Sequence, residues 1–387
     1  MKPNILLDAT GLDTAHRTRG IGRYVQGLLE GLSALRGSGA LPFELTLLRS
    51  PVRAPREEAK ALQAQDEGYP LATYPRWIRA GATEMWLENL LRLDAYAPPG
   101  VALYHATGME GLSRRLPWVA TCHDLIPLVL RGEYLKPHDL FGRLFWTSYA
   151  RRLARSACRV VAISQHVKGY LVDRWQVPEA RVDVSYHGLS PFWSDPDVAP
   201  PSSSVLLEAA SEPFVLFVGG FDRRKNFGLV LQALSLLPAS ARPRLLVVGV
   251  RSGEVRAQHA GLGAKLPGVD VRYLEYVDDP SLRWLYRRSL GLVFSSVEEG
   301  WGFPIVEAMA AGAPVLCADF GSMAEAGGGA AITVDVRSPE ALSSGIARLQ
   351  DAETRSRAIA LGKARVSSLH WESCARELVS TWEKALG

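Results

Sequence analysis

Short runs of β-branched and aromatic residues alternate with helical patterns along the whole chain. Such alternation predicts parallel sheets flanked by helices, an α/β fold. In the first half the expected strands are Asn4–Ala9, Phe43–Leu48, Leu103–His105, Trp118–Cys122, Val160–Ile163 and Val182–Ser185. In the second half they are Phe214–Val218, Arg244–Val248, Val271–Tyr273, Leu290–Ser295, Pro314–Ala318 and Ala331–Val334. Between the halves runs Asp195 to Ser204, rich in Pro and Ser, which reads as a linker. The expected domains are therefore 1–195 and 205–370. The final segment, Trp371 to Leu386, has an amphipathic pattern with Trp371, Leu378, Trp382 and Leu386 on its apolar side. Aromatics of that size need a partner surface.

A length of 387 residues exceeds one ordinary core and suits two domains. With 47% apolar and 22% charged residues the chain has ordinary globular composition. No apolar run approaches the roughly 20 residues of a membrane span, and the opening residues lack a signal-peptide pattern. These features, with four scattered cysteines (Cys122, Cys158, Cys317, Cys374) at neither metal nor disulfide spacing, predict a cytoplasmic protein with reduced thiols. Residues 1–200 hold 24 Lys/Arg against 20 Asp/Glu, so the whole net charge of +4 sits in the first half. That is too little for nucleic acid, but it is compatible with an anionic substrate or peripheral contact with an acidic membrane face.

The densest chemistry lies between Ser295 and Pro314. An expected strand ends in a Gly-rich turn, Pro304 suits the first position of a helix, and Gly312 suits its end. Backbone N–H groups around Gly302, Phe303, Ile305 and Val306, with Pro304 among them, would then face the carboxyl edge of a sheet, a site for a diphosphate. Glu307, one turn inside, can accept from ribose hydroxyls. Glu299, on the preceding loop, can reach the hydroxyls of an attached sugar. Either carboxylate alone is an unremarkable surface charge; the combined turn, Pro, Gly and spacing favour a site. A basic loop, Gly219 to Asn226, also follows a strand, and Arg224 and Lys225 offer cations for phosphate.

Glu299 to Glu307 resembles the E-x7-E element of the retaining GT-B glycosyltransferases of glycosyltransferase family 4. The resemblance implies two Rossmann-like domains facing across a cleft, with the last helix, 371–387, crossing back to the first. It implies that the second domain binds a nucleotide-sugar donor, GDP- or UDP-linked, and that neither metal nor other cofactor is required. Lys225 would bind the diphosphate and neutralise the leaving group. Many family members carry Arg where this chain has Gly220, which leaves Arg223 or Arg224 as the second cation.

Two first-domain elements match as well. In Gly20-Ile-Gly-Arg-Tyr24 the glycines lack the third member of a dinucleotide fingerprint. By resemblance, Gly20 and Gly22 allow close backbone approach to the donor phosphates, with Arg19 and Arg23 as candidate contacts. His123, at the end of Trp118–Cys122, is expected by resemblance to contact the transferred sugar, and Asp124 to be orienting or structural. His166 and His187 read as structural. Asp195-Pro-Asp197 mimics the metal-binding D-x-D of another glycosyltransferase fold but sits in the linker. The basic, aromatic segment from Phe145 to Arg159 reads as an ordinary helix with packed aromatics and a solvated basic face. The whole is most similar to bacterial mannosyltransferases using GDP-mannose, acting on a saccharide or lipid-linked acceptor. UDP-glucose or UDP-N-acetylglucosamine transferases, an epimerase of the same fold and a non-catalytic sugar-binding protein are the alternatives.

Overall fold

The computed structural model describes residues 2–13, 20–49, 68–73, 97–108, 113, 115–130, 140–249 and 268–387. The chain forms two compact units, residues 1–188 with 369–387, and residues 189–368.

The first unit holds a seven-stranded parallel sheet in the order β3-β2-β1-β4-β5-β6-β7. Its strands are β1 Asn4–Asp8, β2 Glu44–Arg49, β3 Leu71–Thr73, β4 Val101–Ala106, β5 Trp118–Cys122, β6 Arg159–Ala162 and β7 Val182–Val184. The apolar runs of β1 and β5 are buried along almost their whole length, as a sheet covered on both faces requires. Strand β3, Leu-Ala-Thr, is too short to carry a periodic signal, and the sequence reading missed it. Strand order reverses between β1 and β4, which opens a crevice at the carboxyl ends of those strands.

Helix α1, Gly20–Gly37, packs on the C-terminal helix Trp371–Leu386 inside this unit. The partner surface for Trp371 is a groove made by glycines: a Cβ on Gly27 would lie 1.9 Å from Trp371 Cε2, and one on Gly31 2.3 Å from the Trp371 carbonyl oxygen. Further along, Trp382 Nε1 donates to His105 Nδ1 at 3.2 Å, and Lys384 and Thr381 both reach Asp183. A helical Gly→Ala change ordinarily stabilises. Here the nearest atom to Gly31 is backbone, which cannot rotate away. Gly31→Ala should therefore lower stability by about 1–3 kcal/mol, read as a reduced urea midpoint; an unchanged midpoint would show that the helices can separate without cost.

Helix α2, Leu140–Ser156, buries Trp146 and Tyr149 and exposes Arg151 and Arg155, the expected packed-aromatic, solvated-basic arrangement. The Phe145 side chain and Arg19 lie outside the described residues.

The second unit repeats the architecture with six parallel strands in the order β10-β9-β8-β11-β12-β13. These are β8 Phe214–Val218, β9 Arg244–Val248, β10 Val271–Leu274, β11 Gly291–Phe294, β12 Val315–Ala318 and β13 Ile332–Val334. Helices α3 Phe227–Leu236, α4 Asp279–Arg288 and α5 Phe303–Ala311 bear on the site. The units divide at Gly188/Leu189 and not at the Pro/Ser-rich stretch. Arg283 explains the difference. Its guanidinium bonds the Phe192 carbonyl and, at 2.7 Å, that of Asp197, while Arg287 reaches Pro196 O at 3.3 Å. Trp193 is buried with its ring 6.0 Å from that of Tyr286. A segment composed like a linker is thus fastened to α4.

Candidate functional site

Strand β8 delivers the chain into a loop whose geometry is dictated by a few residues. Gly219 has φ +134°, and a Cβ there would come within 3.3 Å of Lys225 Cε. Asp222 Oδ1 accepts the Arg224 amide at 3.1 Å and so caps the single turn Arg223–Lys225. Asn226 takes the left-handed conformation at φ 60° and anchors the loop through Nδ2 to Val336 O at 2.6 Å. This loop and the one after β11 are stitched together: Val297 N donates to Arg224 O at 2.8 Å, and Ser295 Oγ to Lys225 O at 2.7 Å.

The outcome is a half-buried ionic cluster. Lys225 Nζ lies 2.6 Å from Glu299 Oε1, and Arg224 Nη1 contacts the same oxygen. Ser296 Oγ donates to it at 2.8 Å, and Ser322 Oγ holds the Glu299 carbonyl at 2.7 Å. Arg224 Nη1 also donates to Glu298 O at 3.1 Å, and Lys225 Nζ sits 4.6 Å from the centre of the Phe294 ring. Burial alone would raise the Glu299 carboxyl, but Lys225 and Arg224 outweigh it and hold the pKa down to about 2. Burial pulls the Lys225 ammonium below its ordinary value, against the opposing pull of Glu299. Of the two arginines left open by the sequence, Arg224 joins the cluster while Arg223 is exposed.

Helix α5 begins beside Glu299. Gly302 is its N-cap at φ +135°, Pro304 occupies the second helical position, one later than expected, and Gly312 closes it at φ +85°. Glu307 is only 2% exposed, and Tyr286 OH donates to its Oε2 at 3.5 Å. One expectation needs correcting. The Ile305 N–H donates to Gly302 O at 2.9 Å and Pro304 has none, so Ile305 brings no open amide to the helix entrance. Ile305 and Val306 are core side chains, whereas Phe303 and Pro304 are half-buried. On the same unit, a cleft of about 510 Å³ at the end of β10 is lined by Tyr273, Glu275, Tyr276, Ser203 and Ser281; Tyr276 there is 81% exposed.

In the first unit His123 is 6% exposed at the end of β5. Its Nε2 lies 2.7 Å from the Thr107 carbonyl, which can only accept, so Nε2 carries the proton and Nδ1 is an acceptor. The ring meets Tyr24 edge-on at 4.8 Å and lies 5.6 Å from buried His187. Burial lowers its pKa to about 4. Asp124 Oδ1 accepts the Ile126 amide at 3.1 Å, at the start of the turn that follows. Gly20 opens α1 with no described atom within 4 Å of where a Cβ would stand; Gly22 is buried two residues in, and Arg23 is half-buried beside it.

Two family signatures match the chain in tandem. The one described as Glycosyltransferase Family 4 covers residues 18–191, and the one described as Glycosyl transferases group 1 covers residues 201–365. The chain is a group 1, family 4-like glycosyltransferase. The Escherichia coli O-antigen chain mannosyltransferase B is 35% identical over 181 residues, 46% of this chain and 47% of that protein, so the match spans about half the length of each. An uncharacterized glycosyltransferase of Methanocaldococcus jannaschii, MJ1607, is 27% identical over 70% of both chains. Among solved structures, the sucrose-phosphate synthase of Thermosynechococcus elongatus superposes with a TM-score of 0.67 at 22% identity, covering 98% of each chain. That likeness establishes the GT-B architecture of two Rossmann-like domains. No helix among the described residues is long and apolar enough to cross a membrane.

The sequence reading of this glycosyltransferase missed Ser295, Ser296 and Ser322, which hold the Lys225 and Glu299 loops in register. Serines beside a Gly-rich turn are ordinary loop composition. Their donor roles emerge only when β8 and β11 are neighbours.

Proposed function

We propose that this glycosyltransferase moves a hexose, mannose from GDP-mannose, onto a saccharide or lipid-linked saccharide acceptor with retention of anomeric configuration and without a metal. The observation that carries the reading is the convergence of Lys225, Arg224 and Glu299 beside the start of α5, with Glu307 buried one turn below. Mannose is favoured by the mannosyltransferase name of the E. coli relative, and the O-antigen chain in that name points to a polysaccharide product.

Transfer through an oxocarbenium-like centre needs the leaving diphosphate stabilised and water excluded. Lys225 and Arg224, fixed in advance by the serines around them, supply positive charge to the departing phosphate without reorganising. That charge takes the place a metal ion would otherwise fill. Glu299 orients the donor sugar through its hydroxyls, and Glu307 accepts from the ribose. His123, neutral at physiological pH, offers Nδ1 as an acceptor to the transferred sugar. We assign a front-face displacement in which a departing phosphate oxygen takes the acceptor proton.

The test is transfer from GDP-mannose, UDP-glucose and UDP-N-acetylglucosamine to a panel of mannosides, with the product anomer read by NMR and EDTA present in one arm. An α-mannoside formed from GDP-mannose at undiminished rate in EDTA is expected. Transfer from a UDP-sugar alone would move the donor assignment. An inverted anomer would overturn the mechanism, and altered free sugar without an acceptor would make the protein an epimerase.

A further inference from the structure

The cluster assigned to the donor diphosphate is already neutral before any ligand arrives. Arg224 and Lys225 bring two positive charges, and Glu299 and Asp222 bring two negative ones. Asp222 Oδ2 lies 3.4 Å from Arg224 Nε. Three donors, Lys225 Nζ, Arg224 Nη1 and Ser296 Oγ, converge on a single oxygen, Glu299 Oε1. The other oxygen, Oε2, takes no hydrogen bond from a described residue and is not sealed from solvent. One end of the carboxylate occupies the cations as a phosphate oxygen would, and the other end takes none of these hydrogen bonds.

We propose that Glu299 is a built-in counter-ion that makes the site prefer a nucleotide-sugar over the sugar-free nucleoside diphosphate, and so drives product release. The inference rests on the diphosphate reading above. Both ligands must share Lys225 and Arg224 with Glu299 and feel its repulsion. The diester diphosphate of a nucleotide-sugar carries two negative charges, whereas the terminal phosphate freed by transfer brings the product close to about three at neutral pH. Only the donor has sugar hydroxyls to give to Oε2, which offsets the repulsion. The product has more charge and nothing to offer that oxygen.

Two features prevent Glu299 from yielding. Ser322 clamps its carbonyl and Ser296, itself fully buried, clamps its side chain. The carboxylate also cannot be neutralised near pH 7, because the adjacent cations hold its pKa at about 2.

Isothermal titration of the full chain with GDP, UDP, inorganic pyrophosphate and the corresponding nucleotide-hexoses tests this in wild type, Glu299→Gln and Asp222→Asn. Glu299→Gln should bind the sugar-free diphosphate and pyrophosphate about tenfold tighter, with steep salt dependence, while gaining little for the nucleotide-sugar. The product-to-donor affinity ratio shifts accordingly. Asp222→Asn, which relieves charge at a group that faces no sugar hydroxyl, should tighten both ligands and shift the ratio far less than Glu299→Gln does. Should Glu299→Gln lose its cooperative unfolding transition, Glu299→Asp withdraws the oxygens by one methylene and carries the same ratio test in smaller measure. Wild-type binding with an unchanged ratio in the Glu299 variants overturns this inference alone. Wild type that binds no diphosphate overturns the diphosphate reading and the inference together.

Discussion

Lys225→Ala should lower kcat by about 10²–10³ while leaving the chain folded. The size follows from what the ammonium does: it is a half-buried donor, 2.6 Å from Glu299 and held by a backbone that Ser295 and the Gly219 turn fix in place. Charge that builds on a departing diphosphate meets it in a partly desolvated setting, although Glu299 takes a share of its field. Arg224 remains in the variant and supplies part of the field, which sets the upper bound on the loss. Folding should survive because the lysine resists burial, as its lowered pKa records, so removing it relieves a desolvation cost while Glu299 retains Arg224 and Ser296 as partners. Lys225→Arg should not restore activity, because a planar guanidinium cannot set a single point charge where the ammonium stands, between Glu299 and the Phe294 ring. Steady-state kinetics with circular dichroism on the same samples decides the matter. Near-normal turnover in Lys225→Ala would remove the lysine from the reaction.

What the chain disclosed before folding, and what it withheld, divides along physical lines. Strands buried on both faces announce themselves, so β8 and β9 fall where Phe214–Val218 and Leu245–Val248 are apolar throughout. Glu299 and Lys225 were legible because turn, glycine and charge recur in a fixed local order. Interactions made across strands were not. Asp195–Ser204 looks like a free linker because Pro and Ser describe a backbone without regular structure, and say nothing of Arg283, nearly ninety residues away, which pins it. Trp371 was seen to need a partner, but that Gly27 and Gly31 are the partner depends on the angle at which two helices meet. An ideal first helical turn leaves the Ile305 amide open, whereas its bond to Gly302 tightens the entrance.

Acidification should unfold the first unit well before the second. His105, His123 and His187 are all buried there, and burial pushes each pKa down: to about 3 for His105, to about 4 for His123, and well below the ordinary value for His187. His105 is locked neutral by geometry as well. Trp382 N–H can only donate to its Nδ1, so Nε2 carries the proton, facing Thr121 Oγ1 at 2.9 Å. The sign follows directly. The unfolded chain takes up protons as pH falls through about 6.5 and the folded one refuses them, so stability is greatest above that value and declines below it until the folded values are reached. Each imidazole contributes about 1.4 kcal/mol per pH unit in that window, so the three together weaken the unit by about 4 kcal/mol per unit, on the order of half a typical domain's stability. Among the described residues the second unit has no buried histidine. Its Glu299, held at about pKa 2, loses its stabilising charge only as pH falls from about 4.5 through that value. Urea unfolding of the full chain at pH 7.5, 6.0 and 5.0, followed by hydrogen exchange resolved to peptides, should show a midpoint dropping steeply for β1–β7 and the C-terminal helix while β8–β13 hold theirs. Replacing His105 by Asn, which presents an acceptor to Trp382 and cannot be protonated in this range, should lower stability at pH 7.5 yet flatten its fall with acid. Parallel decline of both units, or an unaltered slope in His105→Asn, would mean the buried imidazoles do not govern the acid response.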